Sequence, residues 1–293
     1  MELRVLRYFL AVAREETISG AAEALHVTQP TLSRQMMDLE EELGKTLFLR
    51  GKRGISLTEE GLFLRKRAQE IVSLVERTES AFGAADTDIG GDVWIGGGET
   101  DAMRLIARAA RSLRAEHPNI AYHLFSGNAE DVAERLDRGL VDFGIFIEPA
   151  DLSKYDFLRL PVTDVWGVLM RKDSPLAAKR AIRPDDLIGL PLLCSRQPLV
   201  RNGISGWMGD RFDGLNVTAT YNLLYNASLM VEEGMGYALC LDGIVRTSGD
   251  SPLCFRPLEP KLEVGLDIVW KKQQIFSKAA AKFLEHLQKQ LAG

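Results

Sequence analysis

Residues 17–35 read TISGAAEALHVTQPTLSRQ, and this stretch decides how the N-terminal part folds. Residues 18–25 have the pattern of a short helix, and Thr17 or Ser19 offers the hydroxyl that caps its first amides. The connection His26-Val27 is very short. Thr28 caps a second helix, with Pro30 in its first turn, where a missing N–H leaves no bond unmade. That helix runs toward Leu43 and ends at Gly44, a residue suited to the left-handed conformation that closes helices. Upstream, Leu3, Leu6, Phe9, Leu10 and Ala13 recur at helical spacing and predict a further helix with one apolar face. Downstream, residues 46–50 are strand-like, 51–54 form a basic turn between two glycines, and 55–57 return. Helices joined by a tight turn, then a strand–turn–strand, describe a winged helix-turn-helix.

In such a unit the second helix of the pair enters the major groove, led by its N-terminal residues. Here those are Thr28, Gln29, Pro30, Thr31, Ser33 and Arg34. Gln bonds an adenine edge bidentately, Arg does the same to guanine, and hydroxyls reach bases or phosphates. Arg50, Lys52 and Arg53 lie in or beside the wing, where cations meet phosphates or a narrow minor groove. Bulk charge does not announce this role. The 293-residue chain carries a net charge of −5, which argues against a general nucleic-acid coat. Residues 1–60 hold eight basic and ten acidic residues. The acids at 38–42, however, fall in the back half of the reading helix, away from the groove.

Thr58 caps the next helix, which the pattern extends to about residue 82. Leu64, Ala68, Ile71, Val75, Thr78 and Phe82 alternate by four and three, the seam of a helix that packs against a partner helix. Residues 83–91 read as a linker. From residue 92 strands and helices alternate. Strands are predicted at 92–96, 120–125, 143–147, 165–171, 192–194, 217–220, 236–241 and 266–270. Helices are predicted at 100–116, 129–138, 226–233 and 277–291. The alternation predicts a mostly parallel α/β sheet, with its strand–helix series run twice, before and after about residue 162.

The blocks also carry a resemblance. Residues 17–35, the run Leu39-Glu40-Glu41-Glu42-Leu43-Gly44, then Leu47-Phe48-Leu49-Arg50 and Leu57-Thr58-Glu59-Glu60-Gly61 resemble the LysR-type transcriptional regulators, in order and spacing. The later blocks 90–95, His117-Pro118, 136–143 and Asp173-Ser174-Pro175-Leu176-Ala177 resemble them too. The resemblance implies three parts: a winged helix-turn-helix domain at 1–58, a linker and dimerisation helix with hinge at 59–90, and an effector-binding α/β domain at 91–293. That last domain would be of periplasmic-binding-protein type, with lobe I at 91–162 and 267–293 and lobe II at 163–266. Two crossover strands would form its hinge. Implied partners are double-stranded DNA with a pseudo-palindromic operator, a small-molecule effector between the lobes, and a second copy of the chain, as dimer or tetramer. RNA polymerase is a further candidate partner, and no cofactor is implied.

Candidate effector residues sit at strand ends, where α/β folds bind ligands. Gly96-Gly97-Gly98-Glu99-Thr100 follows a strand and precedes a helix, a seat for an anion. Its spacing is not G-x-G-x-x-G and no Lys follows, which excludes a nucleotide loop. Thr100 is the better polar candidate there. Glu99 departs from the small or neutral residue expected in the family; it would repel an anionic effector, favour a cation, or point to solvent. Ser126, Gly127 and Asn128 follow the second strand, and Phe146 and Ile147 end the third as an apolar wall. From the second lobe come Ser195, Arg196, Tyr225 and Asn226; Arg196 would pair with a carboxylate, and Asn226 would cap a helix or bind ligand.

An enzyme is the rival reading. No G-x-S-x-G, H-E-x-x-H or C-x-x-C occurs, and His26, His117, His123 and His286 are dispersed. Cys194, Cys240 and Cys254 are too few for a disulfide framework, and read as buried thiols, with Cys240 or Cys254 as redox-sensor candidates. No apolar run approaches a membrane span. The first sixteen residues lack the apolar core of a signal peptide. The expected location is therefore the cytoplasm, which also argues against an exported solute receptor.

Overall fold

The computed structural model of the chain describes residues 1–51, 54–83, 89–196 and 198–292. The side chains of Arg50 and of residues 80–83 and 198–202 lie outside that description. The chain divides into two compact units, Met1–Gly83 and Ala84–Gly293.

The first unit contains α1 (Leu3–Glu15), α2 (Ile18–Ala24), α3 (Gln29–Leu43), β1 (Phe48–Gly51), β2 (Gly54–Leu57) and α4 (Glu59–Gly83). Of the two hydroxyls offered for α2, Thr17 is the cap, accepting the Gly20 amide at 3.1 Å. A Cβ on Gly20 would come within 2.8 Å of that hydroxyl oxygen, so a larger residue there would shift the Thr17 side chain. Between α2 and α3 the chain reverses through His26 at φ 54°, with the Val27 amide bonded back to the Ala22 carbonyl at 3.0 Å. Leu6, Phe9, Val12, Ala21, Leu32, Met36, Leu39 and Leu47 form the buried core.

The wing is a two-stranded antiparallel ribbon with Arg50 opposite Ile55. Glu40 of α3 anchors its start, its carboxylate accepting the Leu47 and Phe48 amides at 2.6 and 3.1 Å. Thr58 caps α4 through the Gly61 amide, and its hydroxyl donates to the Thr46 carbonyl. A Cβ on Gly61 would stand 2.2 Å from the Leu47 carbonyl oxygen. The α4 seam needs correction. Leu64, Ala68 and Val72 are buried in this unit's own core, whereas Leu62, Phe63, Ile71 and Leu74 are exposed. Val75 is half-buried and Thr78 exposed. At 3.6 residues per turn, Phe63, Ile71 and Leu74 form a stripe roughly 100° around the helix from the packed one, and Leu62 lies on the other flank. The side chain of Phe82 is outside the described residues.

The second unit contains β3 (Gly91–Gly97), α5 (Met103–Glu116), β4 (Ile120–Ser126), α6 (Ala129–Asp137), β5 (Phe143–Ile147), β6 (Tyr155–Arg171), β7 (Pro191–Ser195), α7 (Pro198–Met208), β8 (Asn216–Tyr221), α8 (Leu224–Glu232), β9 (Tyr237–Leu241), β10 (Leu253–Pro257), β11 (Glu263–Lys271) and α9 (Lys278–Ala292). Strand order is β4-β3-β5-β11-β6-β9-β7-β8, with β10 also on β6. Pairing is parallel among β4, β3 and β5, and again among β9, β7 and β8. The antiparallel pairs β11·β5, β11·β6 and β6·β9 join the two sets.

The sheet thus has two lobes with separate cores. In lobe I, α5 and α9 cover one face with Ile106, Leu113, Phe283 and Leu287, and α6 covers the other with Val132 and Leu136. In lobe II, Ile204 and Met208 of α7 pack on one face, and Leu224 and Val231 of α8 on the other. Seventeen-residue β6 and nine-residue β11 run through both. The expected lobe exchanges at 162 and 267 both fall inside these strands.

Candidate functional site

The first site is the start of α3. Thr28 is its N-cap: the hydroxyl accepts the Thr31 amide at 3.4 Å and pairs with the Thr31 hydroxyl at 2.7 Å. Pro30 occupies the first turn. This geometry holds Gln29, Thr31 and Arg34 exposed at one helix end, with Ser33 half-buried beside them. Arg34 forms no ion pair among the described residues, so its guanidinium is available to an outside acceptor. Lys45, by contrast, lies 3.7 Å from Glu60. Backbone places Arg50 on β1; its side chain, and Lys52 and Arg53 entirely, lie outside the described residues.

The second site is a cavity of about 80 Å³ between the lobes. Lobe I contributes Gly98, Glu99, Ala129, Ile145, Ile147, Glu148 and Pro149. Lobe II contributes Trp166, Ser195, Tyr221, Asn222, Leu224, Cys240, Leu241 and Ile244. Of the predicted effector residues, Gly98, Glu99 and Ser195 are therefore brought together.

The others stand elsewhere, each for a physical reason. Thr100 is buried and its hydroxyl donates to Asp164 of β6 at 2.5 Å, also accepting the Ala102 amide at 3.1 Å. It ties the loop to the crossover strand instead of facing the cavity. Phe146 points to the opposite face of β5, into the cluster with Val132, Leu136 and Tyr155. Of the expected pair, strand periodicity leaves the wall to Ile147, together with Ile145. Asn128 is the N-cap of α6 in a reciprocal capping box with Asp131. Ser126 is exposed, and the Gly127 amide donates to the Gly97 carbonyl at 3.0 Å. Tyr225 and Asn226 fall inside α8, one and two residues past Leu224, which lines the cavity, because the helix begins at Leu224. Arg196 lines a neighbouring cavity of about 410 Å³ in lobe II, together with Asp213 and Phe212.

Trp166, Tyr221, Asn222 and Leu224 were not singled out in the sequence. Tyr221 ends β8 and Asn222 follows it. Their position was hidden because Leu223, at the N-cap of α8, has no capping side chain to mark the helix start. Burial among apolar groups holds the Tyr221 phenol well above its ordinary pKa, and its hydroxyl donates to the Leu239 carbonyl at 2.5 Å. Burial likewise lifts the Cys194 thiol to about 11 and Cys240 higher still. Neither offers the thiolate that redox sensing needs. All three cysteines are free. Among the described residues no cluster of His, Cys, Asp and Glu has metal-binding geometry, and no helix is long and apolar enough to cross a membrane.

Comparison with known proteins adds the following. A family model described as "LysR substrate binding domain" matches residues 88–292, and one described as "Bacterial regulatory helix-turn-helix protein, lysR family" matches residues 3–62. The Hca operon transcriptional activator HcaR of Escherichia coli (strain K12) is 28% identical over 300 residues, covering 100% of this chain and 99% of that protein. The HTH-type transcriptional regulator IlvY of the same organism is 29% identical over 250 residues, covering 85% of this chain and 84% of that protein. The solved structure of full-length CbnR complexed with its target DNA has the same fold, with a TM-score of 0.76 at 20% identity over 99% of each chain.

Proposed function

The chain belongs to the LysR family of bacterial transcriptional regulators, and from that membership we propose which of its residues read DNA and which receive the effector. It is a DNA-binding transcription regulator with a substrate-binding domain, and not an enzyme. In this reading residues 1–58 bind DNA, 59–90 pair subunits, and 91–293 receive the effector.

The observation that carries the DNA reading is the exposed first turn of α3 behind its Thr28 cap. Gln29 and Arg34 reach base edges in the major groove, while Thr28, Thr31 and Ser33 meet phosphates or bases and Pro30 shapes the turn. Arg50, Lys52 and Arg53 of the wing contact phosphates. Two copies, joined through the exposed α4 stripe of Phe63, Ile71 and Leu74, present two reading helices to a pseudo-palindromic operator. Such dimers pair again into tetramers, and RNA polymerase is the partner they meet at a promoter, in the cytoplasm.

The effector is a small molecule seated in the cavity between the lobes. Its binding shifts the population of lobe arrangements, and the DNA-bound form responds.

DNase footprinting of the pure protein on the DNA upstream of its own gene, with and without cell metabolites, tests this. The expected result is protection over about two half-sites, one helical turn or a multiple apart, whose pattern changes with metabolites. Folded protein that protects nothing at low salt, there or in a genome-wide site selection, refutes the DNA reading.

A further inference from the structure

One polar contact between the lobes bears on the charge of the ligand. Leu223 stands at the N-cap of α8 and has no side chain to cap it. The carboxylate of Glu99, from the other lobe, takes that place and accepts the Leu224 amide. Where an anionic ligand would find a helix N-terminus, the protein has already put its own carboxylate. That helix end carries only about half a positive charge, so the pair keeps a net negative charge. The second carboxylate of the cavity, Glu148, bonds Arg159 at 2.5 Å, but the same guanidinium bonds fully buried Asp267 at 2.7 Å. One cation is thus shared by two carboxylates.

No Lys or Arg lines the cavity among the described residues. Arg196, the expected carboxylate partner, opens on the neighbouring cavity, where Asp213 stands with it. Trp166 and Tyr221 are the aromatic residues of the lining, and aromatic rings attract cations over their faces. A carboxylate brought in here would compete with Glu99 for one amide and meet a like charge.

We propose that the interlobe cavity selects a small organic cation, an ammonium group set against Glu99 and the Trp166 and Tyr221 rings, and disfavours carboxylates. This rests on the reading of the cavity as the effector seat.

Three probes of matched shape test it on the full chain: isobutylammonium, isobutanol and isobutyrate. Binding is read from the tryptophan indole N–H resonances, with Trp166 assigned through Trp166→Phe. The Trp166 signal should titrate with isobutylammonium at a Kd about tenfold below that of isobutyrate, the order expected of one partly screened ion pair. Isobutanol should fall between them. Glu99→Gln should remove most of the preference, and Glu99→Asp, which keeps the charge, should retain it. Trp166 also lines the Arg196 cavity, so the probes are repeated on Arg196→Ala; isobutyrate or isobutanol binding at Trp166 as tightly as the cation in that variant overturns the charge selection and leaves the seat standing. A preference unchanged in Glu99→Gln overturns the role of Glu99. Shifts confined to Trp94, Trp207 or Trp270 overturn the effector seat itself, and silence from all three probes overturns the selection.

Discussion

The hydroxyl of Thr100 donates to the carboxylate of Asp164 across 2.5 Å, which ties the loop after β3 to the crossover strand β6. Burial raises the Asp164 pKa; the Thr100 bond opposes this, and the nearby charges of Asp101 and Asp242 add to it. A carboxyl raised on folding binds more protons in the native state than in the unfolded chain. Stability is therefore lost as pH climbs from the ordinary Asp range through the raised value. Asp164→Asn keeps an acceptor for Thr100 without the charge. It should raise Tm at pH 7.5, and the gain should vanish as pH falls below the ordinary Asp pKa of about 3.9. A gain independent of pH, or a loss at pH 7.5, would contradict the charge origin.

Gly61 is the second position where a small change has a fixed sign. Helix propensity alone favours Ala over Gly by about 1 kcal/mol. The Leu47 carbonyl 2.2 Å from the new Cβ reverses that, and Gly61→Ala should destabilise the protein by about 1–3 kcal/mol through forced backbone movement. Denaturant unfolding followed by circular dichroism measures it. Gly20→Ala, whose Cβ meets only the end of the Thr17 side chain, should cost less.

Gln29→Ala should weaken binding to the cognate operator by about 1–3 kcal/mol and relax selectivity at one base pair, with little effect on random DNA. Fluorescence anisotropy on both DNAs, at one stated salt concentration, separates base readout from backbone contact. Arg53→Ala should instead weaken both and lower the salt slope by roughly one.

The exposed stripe on α4 gives a fourth test. Phe63→Glu with Leu74→Glu should yield monomers by light scattering, since both side chains are exposed, 66% and 38%, in the single chain. Ala68→Glu should unfold the first unit instead, because Ala68 is wholly buried in its core.

Much of this architecture was legible because capping is local chemistry. Thr28, Pro30 and Gly44 bound α3 on their own, with Gly44 at φ 61° as its role demands. Strand β5 was read to the residue, since a buried strand is a continuous apolar run. The first ten residues of β6 were not. Pro161 within them speaks against a strand. The proline is accommodated because the β6·β11 ladder is interrupted there, between the Gly265·Thr163 and Asp267·Arg159 pairs. The candidate site was legible as a set of strand ends, not as a set of side chains. Whether Phe146 or Ile147 faces the cavity depends on strand parity, and the partner of Thr100 is 64 residues away. The α4 seam failed similarly: a four-three pattern marks a buried face without saying whose core buries it.

Strand β6 pairs with β11 along one half, and with β9 and β10 along the other. The same piece of chain is the edge strand beside β11 in lobe I and an inner strand between β10 and β9 in lobe II. Melting either lobe pulls on a strand that the other lobe also pairs, so residues 89–292 should lose structure in one cooperative step. The amides of residues 167–169, paired on both sides, should be among the last to exchange with solvent. A protease cut within 155–171 would sever the strand that both lobes pair with. Motion between the lobes is accordingly restricted to bending of two strands that never come apart.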